Sequence, residues 1–312
     1  MLHRGDVEQR RGPATPGGLS CVNGPSPDFA PSGERRLALA DWIADGRNPL
    51  TWRSIANRAW HYHFGKGLVD TPNDFGKMGG LPSHPELLDW LAVEMREKGS
   101  LKHLHRLIVA SAAYRQSSRH DAAATMVDAD NRYLWRMNRT RLDAESLRDA
   151  VLAVAGQLGR SMGGPGFEPF RFQDDHSPVY DHADLAALHN PTTYRRTVYR
   201  FTVRSVPNPL LDCLDAADPN QATPVRNATL TALQALALRN NPFVVRQASH
   251  FADRLRGYST DVERQIDHAY CLAFGRPPTD EERRAVGAYA REHGLAAACR
   301  VLLNANEFAF VD

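Results

Sequence analysis

Pro85-Glu86-Leu87-Leu88-Asp89-Trp90-Leu91-Ala92-Val93-Glu94-Met95-Arg96-Glu97-Lys98-Gly99-Ser100 spells one helix, its stop and the start of the next. Leu87, Leu88, Leu91 and Met95 recur at the spacing of one helical face. Pro85 suits a first turn, where a missing N–H leaves nothing unpaired, and Glu86 meets the positive end of the helix. Gly99 can take the left-handed conformation that ends a helix. Ser100 can cap the next helix, expected through Tyr114, with Leu104, Leu107, Ile108 and Ala112 inward.

The same pattern recurs on both sides. Upstream, Leu37, Ala40 and Ile43 mark a short helix from Glu34, closed at Asp45-Gly46, and Trp52 to Phe64 reads as another, stopped by Gly65. Downstream, Asp143 caps a helix expected from Ala144 to Leu158, ended by Gly159. Helices are expected over Thr229–Arg239 and Phe243–Arg256, and from Leu295 to about Phe308. Thr260-x-x-Glu263 and Thr279-x-x-Glu282 have the form of capping boxes. One stretch alternates instead. In Thr197-Val198-Tyr199-Arg200-Phe201-Thr202-Val203-Arg204, Tyr199, Phe201 and Val203 would share one strand face, and Arg200 and Arg204 the other. Residues 1–33 are rich in Gly, Pro and Ser, without periodicity to bury, and read as an irregular arm. The expected fold is therefore mainly α, a multi-helix globular domain over 34–312 with a small β element near 197–204. Sub-lobes over 34–160 and 195–312 would be joined by a polar loop region.

Composition narrows the function classes. With 42% hydrophobic and 24% charged residues among 312, the chain can bury a sizeable core. Its net charge of +2 argues against nucleic-acid binding through a bulk positive field. Cys21, Cys213, Cys271 and Cys299 are scattered, so no Cys-x-x-Cys-His haem attachment or zinc-ribbon spacing exists, and covalent c-type haem is excluded in this chain. No apolar run reaches the roughly 20 residues that span a bilayer, and the polar N-terminus lacks the apolar core of a signal peptide.

Several segments together resemble one family. They are Arg36-Leu37-Ala38-Leu39-Ala40-Asp41-Trp42-Ile43, Asn57-Arg58-Ala59-Trp60-His61-Tyr62-His63-Phe64-Gly65, Asp74-Phe75-Gly76 and His84-Pro85-Glu86-Leu87-Leu88-Asp89-Trp90-Leu91. They continue with Ser111-Ala112-Ala113-Tyr114-Arg115-Gln116-Ser117-Ser118, Leu142-Asp143-Ala144-Glu145-Ser146-Leu147-Arg148-Asp149, Leu233-Gln234-Ala235-Leu236-Ala237-Leu238, Gly275-Arg276-Pro277-Pro278 and Leu303-Asn304-Ala305-Asn306-Glu307-Phe308. In this order, over roughly 34–312, they resemble the planctomycete surface domain known as domain of unknown function 1553. The resemblance implies the C-terminal part of longer, exported chains that carry a c-type cytochrome segment. It therefore implies an extracytoplasmic setting, at the periplasm or cell surface, and a chain that is a C-terminal piece or a stand-alone version. It implies no catalytic residues.

Three groups of residues can carry chemistry. Asp174, Asp175, His176, Asp181, His182 and His189 are ligand types for a divalent metal, though their spacing matches no standard site. The same residues would also suit a loop tied down by hydrogen bonds to backbone and Arg. Arg58, with Asn57 and Asp74-Phe75-Gly76, would line a pocket that grips a carboxylate, sulfate or phosphate, as on an anionic glycan, or would tie a helix to its loop. Arg195, Arg196, Arg200 and Arg204 would gather cations for an acidic partner such as a cytochrome domain or a sulfated glycan, or pair with nearby Asp. His61-x-His63 and His103-x-His105 sit two apart on helices, pointing about 200° from each other, so neither pair chelates one ion by itself. No phosphate-loop or Gly-x-Ser-x-Gly motif is present. Two functions fit: a non-catalytic interaction module, or a metal-assisted hydrolase acting on polysaccharide or sulfate ester at the Asp/His loop.

Overall fold

The computed structural model describes residues 2–13, 16–19, 22 and 34–311, and the remainder of the Gly/Pro-rich arm lies outside the described residues. Fourteen α-helices and six short strands occur among them, a mainly α fold. The chain divides into two compact units, Met1–Asn138 and Arg139–Asp312. The division falls earlier than the expected sub-lobe boundary, so the helix after Asp143 belongs to the second unit.

In the first unit, β1 (Leu2–His3) and β2 (Asp6–Arg10) pair antiparallel. This corrects the irregular reading of the arm at its start. Arg4 and Gly5 connect the strands with φ of 50° and 84°, the two positive values a tight hairpin turn requires. Five helices follow: α1 (Arg35–Ala44), α2 (Pro49–Phe64), α3 (Pro85–Lys98), α4 (Leu101–Ala110) and α5 (Ala122–Val127). Gly65 and Gly99 close α2 and α3 in left-handed conformation, at φ of 75° and 58°. Phe64, Leu91, Leu104 and Ile108, from α2, α3 and α4, are the largest fully buried side chains of this core. The stripe of α1 buries nothing: Leu37 and Ile43 are exposed. α4 also ends sooner than expected, at Ser111, whose hydroxyl donates to the Ile108 carbonyl.

The second unit begins with β3 (Thr140–Arg141), which pairs antiparallel with β6 (Phe310–Val311) and so ties its two ends together. Between them run α6 (Ala144–Val154), the hairpin β4 (Arg171–Gln173) and β5 (Val179–Asp181), α7 (Leu185–Leu188) and α8 (Pro209–Cys213). Then come α9 (Ala232–Asn240), α10 (Pro242–Tyr258), α11 (Val262–Phe274), α12 (Asp280–His293), α13 (Leu295–Leu303) and α14 (Asn306–Ala309). α10 is the central element, packed against α13, α11, α9 and α6. α6 stops at Val154 because Gly156 turns left-handed at φ 75° and the Gln157 and Leu158 amides fold back onto the Leu152 carbonyl.

The alternating segment at 197–204 is not a strand. Thr197–Tyr199 is a 3-10 turn, with the Arg200 amide bonded to the Thr197 carbonyl at 2.9 Å. Its anchor is Asp149 on α6, whose Oδ1 accepts from both the Thr197 amide (2.8 Å) and hydroxyl (2.6 Å). Only a parallel bridge between Phe167 and Arg200 remains of the β pairing. The alternation survives in part as burial: Thr197 and Val203 are buried, while Val198 and Phe201 are exposed.

Candidate functional site

The first unit holds an open cleft of about 1100 Å³ between α2, α3 and the 70–80 loop. Its loop side is built by Asp74. The carboxylate accepts from the Gly76 amide (2.8 Å), and the Asp74 carbonyl accepts from the Thr71 hydroxyl (2.8 Å). This local turn sets Phe75 against the core and into the cleft wall. Arg58 reaches across and donates to Asn73 Oδ1. On the helix side, Arg53 of α2 grips Asp89 of α3 with two parallel bonds, the longer 2.9 Å. Arg47, Arg53, Arg58, Lys77 and Arg96 face the cleft against Asp74 and Asp89, so five positive groups meet two negative ones. Trp52, Phe75 and Val93 give it apolar walls, and Leu19 and Val22 of the arm complete the lining.

Arg58 and Asp74-Phe75-Gly76 thus meet where the sequence reading put them. Asn57 does not join them. It is fully buried, and its side-chain amide bonds both the Val69 carbonyl (2.9 Å) and the Val69 amide (2.8 Å). Its task is to hold the start of the loop to α2.

The Asp/His segment spreads over a hairpin and a short helix. Asp174, Asp175 and His176 are exposed at the tip between β4 and β5. Asp175 accepts from the His176 amide, Asp181 from the Ala183 amide, and Asp184 caps α7 through the Ala187 amide. His189 ends α7. Among the described residues no three His, Cys, Asp or Glu side chains gather as a metal-holding group. Of the six candidates, His182 lines a small pocket with Arg148 and Arg200.

The four arginines do not share a face. Arg195 donates to the Gly163 and Pro165 carbonyls and lies 4.2 Å over the Tyr199 ring, pinning the glycine-rich loop. Arg196 sits 3.8 Å from Asp149, and Arg204 is exposed. Arg200 instead turns into a small pocket of about 60 Å³, together with His182 and Arg148. The sequence reading missed Arg148. It is buried on α6 and donates to the Thr193 carbonyl (2.8 Å), the Arg195 carbonyl (3.1 Å) and the Thr197 hydroxyl (3.1 Å). Its guanidinium lies between the Phe167 and Phe243 rings, 5.1 Å from each centroid. Burial pushes its pKa down to about 10, with Asp149 opposing the shift. The signal was in Glu145-x-x-Arg148-Asp149: three charges at i, i+3 and i+4 of an otherwise apolar helix share one face.

A family model described as PSD1, a protein of unknown function (DUF1553), matches residues 35–290. The chain belongs to this family. No curated protein and no solved structure matches it. The matched region runs through both units, and includes the hairpin, the Arg148 pocket and the cleft apart from Leu19 and Val22.

The histidine pairs of this PSD1 chain behave as helix geometry requires. His103 Nε2 meets Glu94 of α3 at 2.8 Å, whereas His105 Nδ1 faces α2 and meets His63 Nε2 at 2.8 Å. Burial, and then the neighbouring His105, lower the His63 pKa; burial, and then Arg58, lower that of His61. A histidine with a depressed folded pKa binds fewer protons folded than unfolded. Its contribution is fully present above the unfolded value of about 6.5 and is lost as pH falls below it. The urea midpoint of the first unit should therefore drop between pH 7.5 and 5.5, and His63→Gln should make that decline shallower. A decline as steep in the variant would show that the pair does not carry the effect.

Proposed function

We propose that the chain is a non-catalytic binding module whose first unit holds a segment of anionic glycan in the cleft between α2, α3 and the 70–80 loop. The supporting observation is the cleft itself. A volume of about 1100 Å³ suits a ligand of several rings, and its lining carries five cations and two carboxylates, with Arg47 also paired to Asp45 and Arg96 to Glu97, although the whole chain is nearly neutral. Trp52 and Phe75 offer apolar faces to sugar rings, while Arg58, Lys77 and Arg96 offer charge-assisted hydrogen bonds to sulfate or carboxylate groups. On this reading the module works outside the cytoplasm, beside the cytochrome-bearing region that the family resemblance implies.

Calorimetric titration with sulfated and with neutral dextran fragments tests it. The sulfated fragment should bind, with affinity falling as salt rises, because exposed charges are screened. Lys77→Glu removes one cation and adds one repulsive charge at the rim, and should weaken binding by about tenfold, a difference of about 1.4 kcal/mol. Equal binding of neutral dextran, or an unchanged affinity in the variant, would refute the reading.

A further inference from the structure

The pocket of the second unit is surrounded by more positive charge than its surroundings offset. Asp149 lies 3.6 Å from Arg148 and 3.8 Å from Arg196. Glu145 is bonded to Arg226 and also favours the Arg200 cation. Asp149, Glu145 and, beside His182, Asp181 offset part of this charge from outside, and no Asp or Glu lines the pocket itself. Taking charge out of water without a partner is costly, so this excess calls for an anion.

The polar atoms facing the pocket support this. Arg200 is half-buried, its Nε has no hydrogen-bond partner, and its bond to the Phe201 carbonyl is 3.5 Å long. His182 Nδ1 lies 3.5 Å from the Asn208 side-chain nitrogen, which can donate to it when the ring proton is on Nε2. Nε2 is buried without a partner at bonding distance, although the Val206 and Pro169 carbonyls are near enough to raise the pKa that burial, the larger influence, lowers. Asn241 and Phe243, at the start of the 17-residue helix α10, form another wall. The pocket holds about 60 Å³. At roughly 10–15 Å³ for each water-sized position, that is room for one oxyanion head group and not for a sugar ring.

We infer that Arg148, Arg200 and His182 form a binding site for one tetrahedral oxyanion, sulfate or phosphate, arriving as the free ion or as a terminal ester group. Arg200 and His182 supply the unpaired donors, and Arg148 holds the 193–197 segment that leads into Arg200. The site is in the other unit from the glycan cleft and does not depend on it.

The test is calorimetry and thermal shift of the full chain with sodium sulfate, sodium phosphate and sodium chloride at matched ionic strength. One sulfate or phosphate per chain should bind, and chloride should give no comparable shift. Arg200→Gln should weaken sulfate binding at least about tenfold, whereas Lys77→Glu in the cleft should leave it unchanged. In wild type, sulfate should raise the His182 pKa followed by NMR, because an adjacent anion favours the imidazolium. His182→Leu gives a second variant should Arg200→Gln fail to fold. Glucose 6-sulfate against sodium sulfate separates a terminal ester from the free ion: binding of both supports the ester, binding of the inorganic ion alone supports the free ion. Equal shifts with chloride, wild-type affinity in Arg200→Gln, or loss of sulfate binding in Lys77→Glu would each overturn the assignment.

Discussion

Replacing Phe251 with alanine is expected to lower the unfolding free energy of the second unit by about 3–5 kcal/mol. Phe251 is fully buried on α10. Val244, Ala248, Phe251, Ala252 and Leu255 recur along that helix at spacings of three and four, and all are buried. Because α10 packs against α13, α11, α9 and α6, its neighbours surround it and cannot all move inward to fill the space a phenyl ring leaves. Lost burial and the remaining cavity therefore add. Urea unfolding followed by far-UV circular dichroism measures the change. Val245 on the same helix is 37% exposed and provides the control. Val245→Ala should stay within about 0.5 kcal/mol, since surface changes away from special features usually do. A Phe251→Ala loss as small as the control's would mean that α10 is not the centre of the core.

The helices were legible because their ends are written in residues that act locally. Gly65, Gly99 and Gly275 take the left-handed conformation, and Ser100, Asp143 and Thr279 cap with their own side chains. Such signals need only the neighbouring backbone. Two adjacent caps can still compete: Asp261, not Thr260, caps α11, with its carboxylate accepting from two amides. The segment at 197–204 failed for a different reason. Alternation predicts a strand only if a partner strand exists, and here Asp149 on α6 takes the Thr197 amide first. The cleft was partly legible because Asp74-Phe75-Gly76 is a self-contained turn. The pocket was not. It joins α6, the 193–200 segment, the β5–α7 connection and the start of α10, whose juxtaposition depends on tertiary packing. The Asp/His segment carried the opposite lesson. Its ligand-type residues are placed by local bonds, with Asp175, Asp181 and Asp184 accepting from amides of their own turns.

Arg148→Ala should destabilise the second unit by about 3–5 kcal/mol, as loss of one member of a buried polar network does. Three of its guanidinium bonds go to the Thr193 carbonyl, the Arg195 carbonyl and the Thr197 hydroxyl. Without it, buried carbonyls lose their donor, at about 1–3 kcal/mol each where no water replaces it. Asp149 would keep its bonds to Thr197 and its contact with Arg196, so the 197–199 turn should persist while the 193–195 stretch loosens. Arg148→Met separates packing from polarity. Methionine refills the slot between Phe167 and Phe243 but donates nothing, so it should recover the packing share of the loss and leave the unpaired carbonyls. Urea midpoints of the two variants and wild type decide the matter. If Met and Ala lose equally, the rings do not hold the side chain; if neither loses more than about 0.5 kcal/mol, the network is not stabilising. An intermediate value for Met would show that one residue does two jobs, filling the slot between the two rings and fixing the backbone that leads to Arg200.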